Sequence, residues 1–185
     1  MTAGSRVEQR LWADPGFSST GVDRIDVTLE RRSCTSLNLV YRVQGRIDDL
    51  VIPSPAPPVR ADRLWETTCF EAFVRQVGAN GYRELNFSPS SRWAAYDFST
   101  YRAGMVQAAL PAPPAIVLDV SDDDLILDVT LSLDLPDAPC RVALTAVLQN
   151  KGGAKSYWAA NHPSGSPDFH HPACFTLDLP PPPGP

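Results

Sequence analysis

Apolar and polar residues alternate with a period of two through four separate stretches: 23–32 (DRIDVTLERR), 36–44 (SLNLVYRVQ), 125–133 (LILDVTLSL) and 141–149 (RVALTAVLQ). That period sets successive side chains on opposite faces of an extended chain, so each stretch predicts a half-buried β-strand. A fifth run, 65–75 (WETTCFEAFVR), also reads as a strand, with Cys69, Glu71 and Phe73 on one face and Phe70, Ala72 and Val74 on the other. A short turn at 78–81 leads into 82–98, where Tyr82, Glu84, Asn86 and Ser88 share one face and Arg83, Leu85 and Phe87 the other. No segment keeps a helical period with a cap, and 96–105 (YDFSTYRAGM) is the one place where a helical turn is expected to intrude. Proline clusters at 53–58, 111–114 and 180–185 cannot join a sheet ladder and mark connections and a loose end. Many strands separated by Gly, Pro and Asp turns predict an all-β, antiparallel β-sandwich, one domain over 6–179 followed by a Pro-rich disordered tail over 180–185.

Composition narrows the function classes. The 185 residues are 43% hydrophobic and 20% charged, ordinary for a globular domain with a core of its own. A formal charge of −5 with scattered Lys and Arg offers no footprint for a polyanion, so nucleic acid is not an expected partner. The first residues are polar, without the apolar core of a secretory signal, and no stretch approaches the length of a membrane span; a cytoplasmic protein with no membrane partner is the expectation. Cys34, Cys69, Cys140 and Cys174 lie far apart with no CxxC pair, which removes a redox motif or zinc ribbon and leaves buried thiols. Asp122, Asp123 and Asp124 gather hard oxygen ligands, yet no further carboxylate is placed to complete a calcium shell, and they read as a solvated hairpin turn. No metal is expected.

The candidate chemistry lies between Trp65 and Phe98. A sugar presents C–H groups on a ring face and hydroxyls at its rim, so its site needs an aromatic platform edged by acceptors and donors. Trp65 supplies the first and Glu71 the second, and Glu84 and Asn86, in the polar row of the next strand, are placed to continue the Glu71 surface. The plainer reading makes Trp65 and Trp93 core aromatics, pairs Glu71 with Arg92 across strands, and leaves the polar row facing solvent. Glu71 and Glu84 on neighbouring strands meet the carboxylate spacing of a glycosidase, about 5 to 9 Å. Nothing else marks an acid and a base, so no enzyme is expected.

Three segments, 64–74 (LWETTCFEAFV), 82–102 (YRELNFSPSSRWAAYDFSTYR) and 156–179 (SYWAANHPSGSPDFHHPACFTLDL), resemble the DOMON-like family related to family 9 carbohydrate-binding modules. The resemblance implies an immunoglobulin-like or jelly-roll sandwich that binds a sugar or a haem without catalysis. It implies that Trp65 and Trp158 clamp a sugar ring while Glu71 and Arg92 bond its hydroxyls. The haem alternative would use Met105 with His170 or His171 as axial ligands to a non-covalent haem b, since no CxxCH is present. A third alternative is an interaction scaffold with no small-molecule site.

Overall fold

The computed structural model describes residues 5–17 and 20–181. Among them the chain forms β1 (Ser5–Ala13), β2 (Val22–Ser33), β3 (Ser36–Gly45), β4 (Cys69–Gln76), β5 (Tyr82–Phe87) and β6 (Trp93–Phe98). There follow β7 (Val106–Gln107), β8 (Ala115–Val120), β9 (Asp124–Ser132), β10 (Cys140–Gln149), β11 (Lys155–Ala159) and β12 (Leu177–Leu179). Among the described residues helical geometry is confined to single 3-10 turns at Ile47–Asp49, Leu64–Glu66 and Pro172–Cys174.

One sheet runs β8-β9-β3-β2-β1 and the other β7-β6-β5-β4-β10-β11, with β12 added beside β10. All of these pairings are antiparallel. β1 belongs to both sheets: residues 5–11 pair with β2, and then Trp12 and Ala13 pair with Ala159 and Trp158 of β11. The result is an all-β sandwich curled around one seam strand.

Alternation fills the space between the sheets. Val27 and Leu29 of β2, Leu39, Tyr41 and Val43 of β3, and Leu127 and Val129 of β9 meet Phe70, Ala72, Leu85, Leu144, Ala146 and Leu148 from the other layer. Each such aliphatic or aromatic side chain contributes about 1.5–3 kcal/mol on leaving water, which is why the period-two stretches settle in this register. A second apolar cluster lies on the outer face of the β4-β5-β6-β10 sheet, where Phe73, Tyr82, Tyr96, Phe98 and Val147 are covered by Phe169, Cys174 and Phe175 of the segment after β11. This covered outer face carries the candidate site.

Arg31, at the end of β2, is 0% exposed and has no carboxylate partner among the described residues. Its guanidinium instead donates to the backbone carbonyls of Pro136, Ala138 and Pro180. Pro180, expected to open the loose tail, is therefore held; the rest of that tail beyond residue 181 lies outside the described residues.

Two expectations change at the level of local structure, and one strand was not expected. Residues 96–105 make no helical turn: β6 runs to Phe98, and Thr100 and Ala103 close a tight turn with Arg102 at φ 52. Trp65 sits on a 3-10 turn, with the strand starting only at Cys69, because Arg63 enters the left-handed region at φ 61 and breaks extension. β8 escapes the alternation test because AIVLDV is an edge strand with Val117 and Val120 exposed. The runs read as β2, β3, β9 and β10 do form strands with the faces expected.

Gly45 closes β3 at φ 137, where a Cβ would stand 2.6 Å from the Gly21 carbonyl oxygen and 2.8 Å from the Asp23 nitrogen. Gly45→Ala is expected to cost about 1–3 kcal/mol, read as a fall in urea midpoint, because both backbone strain and a backbone clash oppose it. Gly78, at φ 85 with nothing within 4 Å, is the control. Its alanine variant meets only the backbone term, about 1–2 kcal/mol, and equal losses at both positions would remove the clash from the account.

Candidate functional site

On the outer face of the second sheet, register brings polar residues of three strands together. Glu71 of β4 stands opposite Asn86 of β5 and opposite Thr145 of β10. Thr145 Oγ1 donates to Glu71 Oε2 at 3.1 Å, and Asn86 Nδ2 donates to Glu84 Oε1 at 2.7 Å. Glu71 is 3% exposed and Glu84 5%, so both carboxyls sit out of bulk water with only neutral donors on them. Burial pushes Glu71 up to about 8, with the neighbouring Glu84 charge adding to it. Burial raises Glu84 as well, against the opposing pull of the Asn86 hydrogen bond and Arg102. The two titrate as a pair that keeps a proton at neutral pH.

The segment after β11 lays His170 over this pair. Burial, and next the Arg102 charge, lower its imidazole to about 4, so it is neutral at pH 7. The Arg102 backbone N–H donates to Tyr82 Oη at 3.2 Å, which leaves the Tyr82 hydroxyl to donate to His170 Nδ1 at 2.7 Å. The proton of the ring is assigned to Nε2 on that basis, facing Glu84 Oε2 at 3.7 Å, beyond hydrogen-bond reach. Asp168 fastens the segment down: it accepts from the Arg102 guanidinium at 2.7 and 3.1 Å, from the Tyr101 hydroxyl, and from the His170 backbone N–H.

Above the carboxyls opens a cavity of about 560 Å³, within the 300–1,000 Å³ typical of small-molecule sites. Its walls are aromatic. Trp65, 39% exposed, meets Tyr96 edge-on at 6.4 Å, while Tyr157 packs with Phe169 on another side. Arg102, Met105 and Lys155 also line it. Such a site offers ring faces for stacking and a floor of acceptors and donors.

Of the residues singled out from sequence, Trp65, Glu71 and Glu84 line this cavity together, and Asn86 lies fully buried against Glu84. Trp158 and Arg92 do not join them. β11 presents Lys155 and Tyr157 to the cavity and therefore Ser156 and Trp158 to the core between the sheets, where Trp158 is 5% exposed and its Nε1 donates to Ser156 Oγ at 2.8 Å. Arg92 belongs to the turn joining β5 and β6, its side chain exposed and its backbone tied to Ser88 and Ser90. Sequence reasoning missed Tyr157, Lys155, Arg102 and Phe169. The aromatic next to Trp158 was the available signal for Tyr157, but parity alone does not say which neighbour faces out.

Met105 and His170 line the same cavity, whereas His171 accepts from the Ala173 backbone N–H at the start of a 3-10 turn. An axial imidazole needs a nitrogen lone pair free to reach iron. Here Nδ1 is taken by Tyr82 and Nε2 faces a carboxylate at 3.7 Å, so the residues as arranged do not fit a Met/His haem. Among the described residues no three His, Cys, Asp or Glu side chains gather as a metal site, and all four cysteines are unpaired. No helix among them is long and apolar enough to cross a membrane.

No protein-family model matches the sequence, and no curated protein matches it. Among solved structures, a candidate carbohydrate-binding protein of Bacteroides uniformis is similar over 93% of this chain and 84% of its own, with a TM-score of 0.66 at 14% identity. A family 9 carbohydrate-binding module of Caldicellulosiruptor kristjanssonii, solved with glucose, aligns over 80% of this chain and 71% of its own, with a TM-score of 0.48 at 11% identity. The first likeness establishes the sandwich fold.

Proposed function

We propose that this chain is a non-catalytic, DOMON-like sandwich that binds a carbohydrate in the cavity over Glu71 and Glu84. The observation that carries this is the pairing of aromatic walls, Trp65 and Tyr157, with a buried floor of carboxyl, amide and hydroxyl groups. A pyranose needs both, an apolar face to stack on and fixed partners for its hydroxyls. The fold neighbour from Bacteroides uniformis, itself a candidate carbohydrate-binding protein, supports the same reading. A glycosidase needs one carboxyl held as an acid and the other as a base, their environments pushing them apart. Here burial raises both, which favours binding without hydrolysis. The four free thiols suit a reducing, cytoplasmic setting.

Calorimetric titration with a panel of mono- and disaccharides should give saturable binding accompanied by a change in tryptophan fluorescence. Trp65→Ala should weaken it at least tenfold while unfolding within about 0.5 kcal/mol of the parent, as expected for a half-exposed side chain. Arg92→Ala should leave the affinity unchanged. A panel without a single saturable sugar would overturn the proposal, and a Soret band in protein purified from haem-replete cells would replace it with the haem alternative.

A further inference from the structure

Glu71 and Glu84 each tie down one oxygen and leave the other without a hydrogen bond among the described residues: Thr145 holds Glu71 Oε2, and Asn86 holds Glu84 Oε1. Both side chains are at least nine-tenths buried and both line the cavity, so the untied Glu71 oxygen, which carries the shared proton while the cleft is empty, is turned without a partner to a ligand-sized space. Buried carboxylates are ordinarily paired with a cation. Two of the charged groups nearby are engaged elsewhere. Arg102 is bonded to Asp168 and Glu66 to Arg63. His170 is neutral at pH 7, and Lys155 makes no ion pair among the described residues.

We infer that the cleft selects a sugar bearing a free amino group, whose ammonium displaces the shared proton to solvent and is received between the untied oxygens of Glu71 and Glu84. This rests on the carbohydrate reading above and sharpens it to a substrate class. An ammonium carries three donors and a full positive charge, which two half-satisfied acceptors in a partly dry pocket can use and a neutral hydroxyl cannot match. The ring of the same molecule supplies the apolar face for Trp65. An N-acetylated sugar loses the charge and adds bulk at the same atom, so it forfeits the advantage.

The test is a calorimetric comparison at pH 7 of glucosamine, galactosamine and mannosamine with their parent hexoses, their N-acetyl derivatives, and cyclohexylamine. At least one amino sugar should bind tenfold or more tighter than its parent and its N-acetyl form, and Glu84→Gln should reduce that ratio to near one. Should the Glu84 variant fail to fold, the ratio on the unaltered protein still decides. Parent hexoses binding as tightly as amino sugars would overturn the amine inference and leave the carbohydrate reading standing. If Lys155→Met must be made before any amino-sugar preference emerges, the lysine already supplies the countercharge and the inference fails for the native protein. Cyclohexylamine binding with no sugar bound would remove the carbohydrate reading and keep the cation subsite, and no binding at all would remove both.

Discussion

Arg31→Met is expected to destabilise the fold by about 3–5 kcal/mol, since each buried carbonyl left without its donor costs about 1–3 kcal/mol and three are stripped together. The guanidinium is wholly buried and donates to the carbonyls of Pro136, Ala138 and Pro180, so its removal leaves these acceptors without their charged donor. Methionine matches the stem but offers no donor. Arg31→Lys should recover only a minor part, because one ammonium on a flexible stem does not reproduce a planar fork that reaches separate carbonyls. Urea unfolding followed by tryptophan fluorescence measures both. A loss below about 1 kcal/mol, the net worth of one ordinary hydrogen bond, would show that water takes over the carbonyls and that the clamp is dispensable.

The second large effect is a stability that falls as pH rises through neutrality. A carboxyl raised in the folded state favours folding while protonated: its contribution is fully present below the unfolded value near 4.5 and is lost as pH climbs toward the folded value, about 8 for Glu71. Each unit of that interval is worth about 1.4 kcal/mol, so the effect is on the order of a few kcal/mol. Glu84 is shifted in the same direction and reinforces it. His170 acts oppositely. Its folded value is lowered from 6.5 to about 4, so the unfolded chain binds the extra proton between those values and stability rises with pH there. The two slopes offset each other from about pH 4.5 to 6.5, and the net fall emerges between pH 6.5 and 8. Glu71→Gln should reduce that fall to what Glu84 alone contributes and uncover more of the histidine's rise at lower pH. A wild-type urea midpoint that stays level from pH 6.5 to 8 would mean that the carboxyl is already ionised at neutrality.

The strands that sequence makes plain are those with one wet and one dry face. β2, β3 and β9 alternate because each packs one side against the opposite layer, whereas β10 is dry on both faces beyond Arg141, its outer one lying beneath the segment after β11. Edge pieces such as β7 and β8 obey no such rule, being paired on one side and largely exposed, and they pass unnoticed. For the site, Glu71, Glu84 and Asn86 were readable because parity along β4 and β5 follows from their apolar neighbours. Trp158 was misplaced for the converse reason: in KSYWA both aromatics are apolar, and which one faces the core depends on a partner strand ten or more residues away in β10. Arg102 and Phe169 reach the cavity from connecting segments, positioned by the Asp168 contacts and by apolar cover over β4 and β5, and no local pattern encodes such long-range closure.

The seam strand governs when the molecule can first exist during synthesis. β1 and β2 are neighbours in sequence and can meet early, but the last two residues of β1 wait for Ala159 and Trp158, and Arg31 waits for Pro180. Until the ribosome has released the chain through that point, β1 has one bare edge and the β2 cation has no cage. Pairing across such separations also makes for slow folding, in the millisecond-to-second range of β-rich domains. Until the residues of β11 and Pro180 have been made, the growing polypeptide therefore carries a strand end with no partner, the kind of open edge that invites wrong pairing.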